Sequence, residues 1–393
     1  MAETLQNQGG DLAVVNVTTR SYLYRTRTLF DSVAKHLPEA RRIVCCADRL
    51  DGVCDPDKEA FEIVEAASLG IPRFPQWALA LNPSALCCAL KPHAIGIALK
   101  DPAIQRVIYI DNDMGLYRSP DEMLCALESA SVVLTPHHLQ PLPTAAVPNE
   151  RALATYGVFN AGILGIRRCA EVELFLEWWS DWMLDPRHLE NAMGYDQVWL
   201  NYVPVYCPAS EILRDPAYNV AFWNMHERSL VKGNDGVFRC EDKPLVSFHF
   251  SNFSEDHPER LVWPEALSNF TRTEATDALL AEMVSRWSKA GRANCLSWGY
   301  GFSRWPDRSD VTSAERDIAK TRWDELPTSA NPWAPAEGAP DLQLAKMVRP
   351  QLFGTRSDRF RQHIKKVLGV SPLKIIRYVR NALAGRGEAL SIK

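Results

Sequence analysis

The chain has little of what would mark it for a bilayer or a nucleic acid. No run of about 18 apolar residues occurs anywhere in its 393 residues. The opening MAETLQNQGGD has neither the basic residues nor the apolar stretch of an export signal, so a cytoplasmic protein is expected. Its 44 basic residues do not outnumber its 48 acidic ones, and a formal net charge of -4 excludes a globally basic surface. With no nucleic-acid module in view, nucleic acid is not an expected partner. Cysteine is present ten times but never as C-x-x-C; apart from the adjacent pairs Cys45-Cys46 and Cys87-Cys88 the residues are scattered. That spacing suits reduced, mostly buried thiols and excludes a zinc ribbon. Gly-rich phosphate loops, nucleophile-elbow serines and internal repeats are also missing. The Asn-x-Ser/Thr triplets at Asn16, Asn252 and Asn269 carry little weight without an export signal.

What is there is an ordinary globular composition, 46% hydrophobic and 23% charged, enough for a sizeable core. Short apolar runs at Leu12 to Val17, Ile43 to Cys46, Val107 to Ile110, Val132 to Leu134 and Val246 to Phe250 read as strands, several buried on both faces. Between them, Thr26 to Leu37, Lys58 to Leu69, Ala89 to Leu99 and Glu171 to Met183 space apolar residues at three and four, the helical period. The expected fold class is α/β, with a Rossmann-like, mostly parallel central sheet flanked by helices and a helical C-terminal extension. We divide the chain into a nucleotide-binding domain at 1–285, a linker or strap at 286–340 and a tail at 341–393. From Arg356 to Arg380 the tail has eight basic residues against one acid, Asp358, interleaved with apolar ones. This stretch, 356–380, is a candidate for peripheral contact with an anionic membrane face.

The segment Val107-Ile108-Tyr109-Ile110-Asp111-Asn112-Asp113 runs an apolar strand into two carboxylates one residue apart. Strand alternation would aim Asp111 and Asp113 the same way at the carboxyl end of the strand, where open α/β sheets bind ligands. Paired carboxylates there suit a hard divalent cation that bridges to substrate phosphates. The competing reading is a solvated turn, since Asp and Asn are turn formers.

Four segments in order then resemble a family. Tyr109-Ile110-Asp111-Asn112-Asp113, Phe159-Asn160-Ala161-Gly162-Ile163-Leu164, Asp196-Gln197-Val198-Trp199-Leu200-Asn201 and Phe248-His249-Phe250-Ser251-Asn252 are similar to the motifs of GT-A glycosyltransferases, most closely the retaining glycosyltransferase family 8. The likeness covers about residues 11 to 255. Ala161 stands where the family has Ser and Asn252 where it has Gly, and the family's following Lys-Pro-Trp is missing.

The resemblance implies a GT-A fold and a metal-dependent transfer, with retention, from a nucleotide-sugar donor, a UDP-sugar, to a glycan or lipid-linked acceptor. By the same resemblance Asp111, Asp113 and His249 hold Mn2+ or Mg2+, the imidazole favouring manganese. Asn160 and Gly162 line the donor pocket, Asp196 contacts donor sugar or acceptor, and Gln197 sits near the anomeric carbon. Lys91 and Asn112 touch the donor, Asn16 and Thr18 reach base and ribose, Tyr22 or Tyr24 stacks on the base, and Asn224 belongs to the acceptor-side loop. Each has an ordinary alternative. His249 suits a hydrogen-bonded core histidine, Asp196 a helix cap, Lys91 a solvated helix lysine and the Gly162 segment a plain bulge. At the level of function the alternatives are a metal-dependent nucleotidyltransferase or phosphohydrolase, and a non-catalytic sugar-nucleotide binder or membrane-surface adaptor.

Overall fold

The computed structural model describes residues 10–142, 149–189, 195–257, 260, 262, 270, 272–334 and 338–353. The basic stretch 356–380 and Asn269 lie outside them.

A seven-stranded sheet forms the centre. Its strands are β1 (Leu12–Thr18), β2 (Arg41–Cys46), β3 (Glu62–Glu65), β4 (Arg106–Ile110), β6 (Val132–Pro136), β7 (Phe159–Arg167) and β8 (Glu211–Ile212), with β5 (Met114–Leu116) set apart from it. The order is β3-β2-β1-β4-β7-β6-β8. Neighbours pair parallel except at β7, which runs antiparallel to both β4 and β6. Every residue of β1 is buried, as is all of β7 except Arg167. Strands with both faces covered have no need of polar alternation, which is why these segments read as plain apolar runs. Helices flank the sheet, including Leu23–His36, Lys91–Leu99 and Ala170–Met183. The expected mostly parallel α/β architecture is therefore present.

Two expectations change. Lys58 to Leu69 is not a helix: Glu62–Glu65 pairs in parallel with Ile43–Cys46 as the sheet's edge strand, between 3-10 turns at Pro56–Lys58 and Ala66–Ser68. Ile63 and Val64 are stiff at χ1 and favour an extended backbone, and an open sheet edge decides the matter against helical spacing. The run Val246 to Phe250 forms only the short strand Ser247–His249, which pairs antiparallel with β5 outside the central sheet. Two hairpin strand pairs complete a small second sheet, β9 (Leu230–Lys232), β10 (Phe238–Cys240) and β11 (Lys243–Pro244), so Ser247–His249 is β12.

The chain divides into two compact units, Met1–Ser303 and Arg304–Lys393. The first includes the helices Glu274–Lys289 and Arg292–Trp298. In the second, helix Ser313–Thr321 starts at a reciprocal capping box between Thr312 and Glu315. The buried Glu315 also accepts from Trp305 Nε1 at 3.2 Å and pairs with Arg349 Nε at 3.2 Å. Among the described residues no helix is long and apolar enough to cross a membrane.

Candidate active site

Four segments converge at the carboxyl end of β4. The strand stops at Ile110, and Asp111 to Asp113 form a tight turn into β5, with Met114 N–H donating to Asp111 O at 3.1 Å. The two carboxylates are thus brought together by a turn and not by strand alternation. The turn is anchored by Asp111 N–H, which donates to Gly162 O at 2.8 Å. Asp111 and Asp113 remain about a fifth exposed, at 23% and 22%, while the groups behind them are buried. Asp111, Asp113 and His249 each offer a ligand atom within 4.8 Å of the others. The sequence separation of His249 from the aspartates is closed by the β5–β12 pairing, which aligns His249 with Met114.

His249 is 6% exposed. Its Nδ1 lies 3.2 Å from Asn219 Oδ1, and its Nε2 3.1 Å from Asp113 Oδ1. Both neighbours are acceptors. A neutral ring that donates Nδ1–H to Asn219 turns the lone pair of Nε2 toward a carboxylate, an arrangement that a bound cation satisfies. Trp223 packs edge-on against the His249 ring at 5.2 Å.

Gly162 makes this placement possible. A Cβ there would lie 2.6 Å from His249 Cε1 and 2.7 Å from Asn160 Oδ1. The β6–β7 register breaks at this point, from Leu134↔Leu164 to Thr135↔Asn160, so Ala161, Gly162 and Ile163 bulge out of the ladder with β6. Asn160 Oδ1 accepts from Gly162 N–H at 2.9 Å, and its Nδ2 lies 3.1 Å from His137 Nε2 and donates to Gln197 Oε1 at 3.2 Å. Gln197 is held in turn by Gly157, whose φ of +105° admits a backbone approach that a Cβ would block, at 2.7 Å from Gln197 O.

Lys91 is 4% exposed and is not a solvated helix lysine. Its Nζ lies 3.1 Å from Asp111 Oδ2, 2.9 Å from Asp196 Oδ2 and 3.1 Å from Ala161 O. Burial works against its charge, but the two carboxylates outweigh burial and keep it protonated. Asp196 precedes the 3-10 helix Gln197–Tyr202 without capping it; its carboxylate points to Lys91 instead. Tyr109 OH donates to Asp111 Oδ1 at 2.6 Å, fixing the other side of that carboxylate.

The remaining predicted residues fall into two groups. Asn112 stays beside the cluster, donating to Thr18 Oγ1 at 3.0 Å. Tyr22 is 38% exposed, with the Arg25 guanidinium 4.7 Å from its ring centroid. Asn16 is fully buried, its amide taken up by Ile110 O at 2.7 Å and Thr26 Oγ1 at 2.9 Å. Tyr24 is buried with its hydroxyl on Glu255. Asn224 is buried too, bonded to Ala221 N, His137 O and Asn219 O. In that same run it is Asn219 that meets the site, at a left-handed φ of +51°. Sequence reading missed Asn219, His137 and Gly157; only an Asn among aromatics hinted at the first. Asn252, where the resembling pattern has glycine, has φ +66°, a conformation glycine takes freely and asparagine tolerates.

No protein-family model matches the chain. Over 273 residues it is 24% identical to the uncharacterized protein YfnF of Bacillus subtilis (strain 168), spanning 67% of this chain and 87% of that one. In structure it is similar to mouse xyloside xylosyltransferase 1 in its apo form, with a TM-score of 0.37 and 14% identity, over 61% of this chain and 97% of that one. It is also similar to a glycosyltransferase involved in glycosylation of the major capsid of PBCV-1, with a TM-score of 0.38 and 13% identity, covering 71% and 98% of the two chains. The glycosyltransferase GlyE of Streptococcus pneumoniae TIGR4 gives a TM-score of 0.39 and 15% identity, covering 71% and 64%.

Proposed function

We propose that the chain is a metal-dependent glycosyltransferase, akin to the retaining family 8, that moves a sugar from a UDP-sugar to a saccharide or lipid-linked acceptor. The observation that carries this reading is the His249 arrangement: one ring nitrogen anchored on Asn219 and the other turned to Asp113, beside Asp111. Two carboxylates and an imidazole fit a divalent cation, and the imidazole favours Mn2+ over Mg2+. When bound, such an ion supplies neutralising charge for a departing diphosphate.

The chain's own residues do the rest of the work in this reading. Lys91 offsets the charge of Asp111 and Asp196 from behind and fixes both carboxylates, which pre-organises the site. Asn160 and Gln197, bonded to each other, offer amides to sugar hydroxyls. Paired with Lys91 in a buried setting, Asp196 is a poor covalent nucleophile, which favours same-face attack by the acceptor over a two-step exchange. Tyr22, half-exposed under Arg25, offers a ring face to the base. Two residues beyond Gln197, Trp199 packs on Trp182 at 5.0 Å and Trp182 on His188 at 4.0 Å, and Tyr202 and Tyr206 are each 43% exposed. An aromatic surface of this kind suits the apolar faces of an acceptor saccharide.

Calorimetry of UDP binding with Mn2+ and then with chelator, on the wild type and on Asp113→Ala, tests the proposal. Binding that requires both metal and Asp113, followed by UDP release from a UDP-sugar, is the expected result. Pyrophosphate or phosphate release would transfer the site to phosphoryl chemistry. A folded protein that binds no nucleotide under any condition would end the nucleotide-sugar reading.

A further inference from the structure

A second cluster of metal-ligand side chains lies outside this site. His138, His226 and Glu227 each present a ligand atom within 4.8 Å of the others. The two imidazoles meet with centroids 5.2 Å apart and planes tilted by 46°, a contact in which neither ring donates to the other. All four of their ring nitrogens are shielded from solvent and have no hydrogen-bond partner among the described residues. Shielding even one such nitrogen without a partner is costly, and native interiors rarely tolerate it. His188 shows the usual solution in this chain, with Nδ1 2.8 Å from Trp182 O.

Glu227 supplies the charge. Its side chain is 3% exposed, and its carboxylate accepts from Leu139 N–H at 2.9 Å and Gln140 N–H at 2.8 Å, which fixes it on the His138 side of the cluster. Arg228 Nε lies 3.4 Å from the same carboxylate, but its Nη1 is committed to Tyr218 O at 2.6 Å. Leu139 N–H also reaches the second carboxylate oxygen at 3.1 Å, so these three donors leave about one of the carboxylate's roughly four acceptor directions for a further partner.

We propose that His138, His226 and Glu227 form a second divalent-cation site, of the two-imidazole, one-carboxylate type that takes Zn2+. This donor set is softer than Asp111, Asp113 and His249, so zinc and not magnesium is its ion. Its place in the fold suggests its effect. His138 follows His137, which contacts Asn160, and Glu227 ends the loop that begins at Asn219, the anchor of His249. An ion here ties together the two segments that orient the first site from either side. The inference does not depend on the sugar-transfer reading, because it concerns zinc binding alone.

The test uses the metal-stripped full chain. Zinc titration calorimetry, with metal content after dialysis, compares the wild type, Asp113→Asn and the double variant His138→Gln/His226→Gln. We expect Asp113→Asn to keep a zinc equivalent that the double variant loses, and the rise in Tm caused by Zn2+ to be several degrees smaller in the double variant than in the wild type. A double variant with the full wild-type zinc content and the same thermal shift would overturn the proposal. Anomalous scattering at the zinc edge from wild-type crystals needs no variant: a peak among His138, His226 and Glu227 supports the site, and zinc confined to Asp111, Asp113 and His249 refutes it.

Discussion

His249 works as a candidate ligand only because two small groups hold it. Gly162 leaves room for the ring, and Asn219 takes its Nδ1. Asn219 has a left-handed backbone at φ +51°, so Asn219→Gly keeps that conformation and removes only the amide. Its backbone bonds to Ser247, Asn224 and Arg228 survive the change. Loss of the group that orients a metal-bound histidine weakens metal affinity about 10- to 100-fold. Manganese-dependent UDP binding should therefore weaken by about that factor in Asn219→Gly, while the Tm in chelator stays unchanged; unchanged manganese-dependent binding with a lower Tm in chelator would make Asn219 a residue of the fold alone. At this scale the sequence showed the ligand types and concealed their holders. Asp111, Asp113 and His249 sit in recognisable motifs, but an asparagine that anchors a histidine thirty positions away has no local signature.

Elements position the site through irregularities more than through regular structure. The turn after β4 and the bulge in β7 place Asp111, Asp113, Asn160 and Gly162, and both are breaks in patterns that strand periodicity presumes. A third junction joins helix Leu23–His36 to helix Arg292–Trp298 through Glu255, which accepts from Tyr24 OH at 2.7 Å, from Arg25 and from Arg292 Nε at 2.5 Å. Burial raises the carboxyl's pKa, but Arg25, Tyr24 and Arg292 outweigh it and hold the group below its ordinary value. A depressed pKa means that Glu255 contributes stability in full above the unfolded value of about 4.3, and that the contribution is lost as pH falls through the lower folded value. Glu255→Gln should cost roughly 2 kcal/mol at pH 7, between the values of exposed and buried pairs. In urea denaturation the gap between variant and wild type should narrow as pH drops below about 4.3. A gap independent of pH would assign the loss to packing instead of charge.

For the whole molecule, all ten cysteines are free thiols, in keeping with their scattered spacing. Five of the ten are buried, Cys125 is exposed, and burial pushes Cys45 up to about 12. The basic stretch 356–380 lies outside the described residues, and we propose that it meets anionic lipid, where each basic residue near the surface contributes about 1 kcal/mol. Full-length protein should co-sediment with phosphatidylserine-containing liposomes at low salt and lose this when residues after Gly354 are deleted; equal sedimentation of both would remove the tail from consideration.

The sequence by itself determined the fold class and the chemistry on offer. Short apolar runs without alternation fit strands covered on both faces, and carboxylates following such a run fall at the ligand-binding end of an α/β sheet. The tertiary structure decided the rest. It turned Glu62–Glu65 into an edge strand, made Lys91 a buried counter-ion of Asp111 and Asp196, and drew Asn16 and Asn224 into internal hydrogen bonds. It also brought His249 to the aspartates across the β5–β12 pair. The physical reason is common to all of these: residue type and spacing encode local backbone preference, whereas burial, ion pairing and the partner of a side-chain amide depend on segments that meet only when the chain has folded.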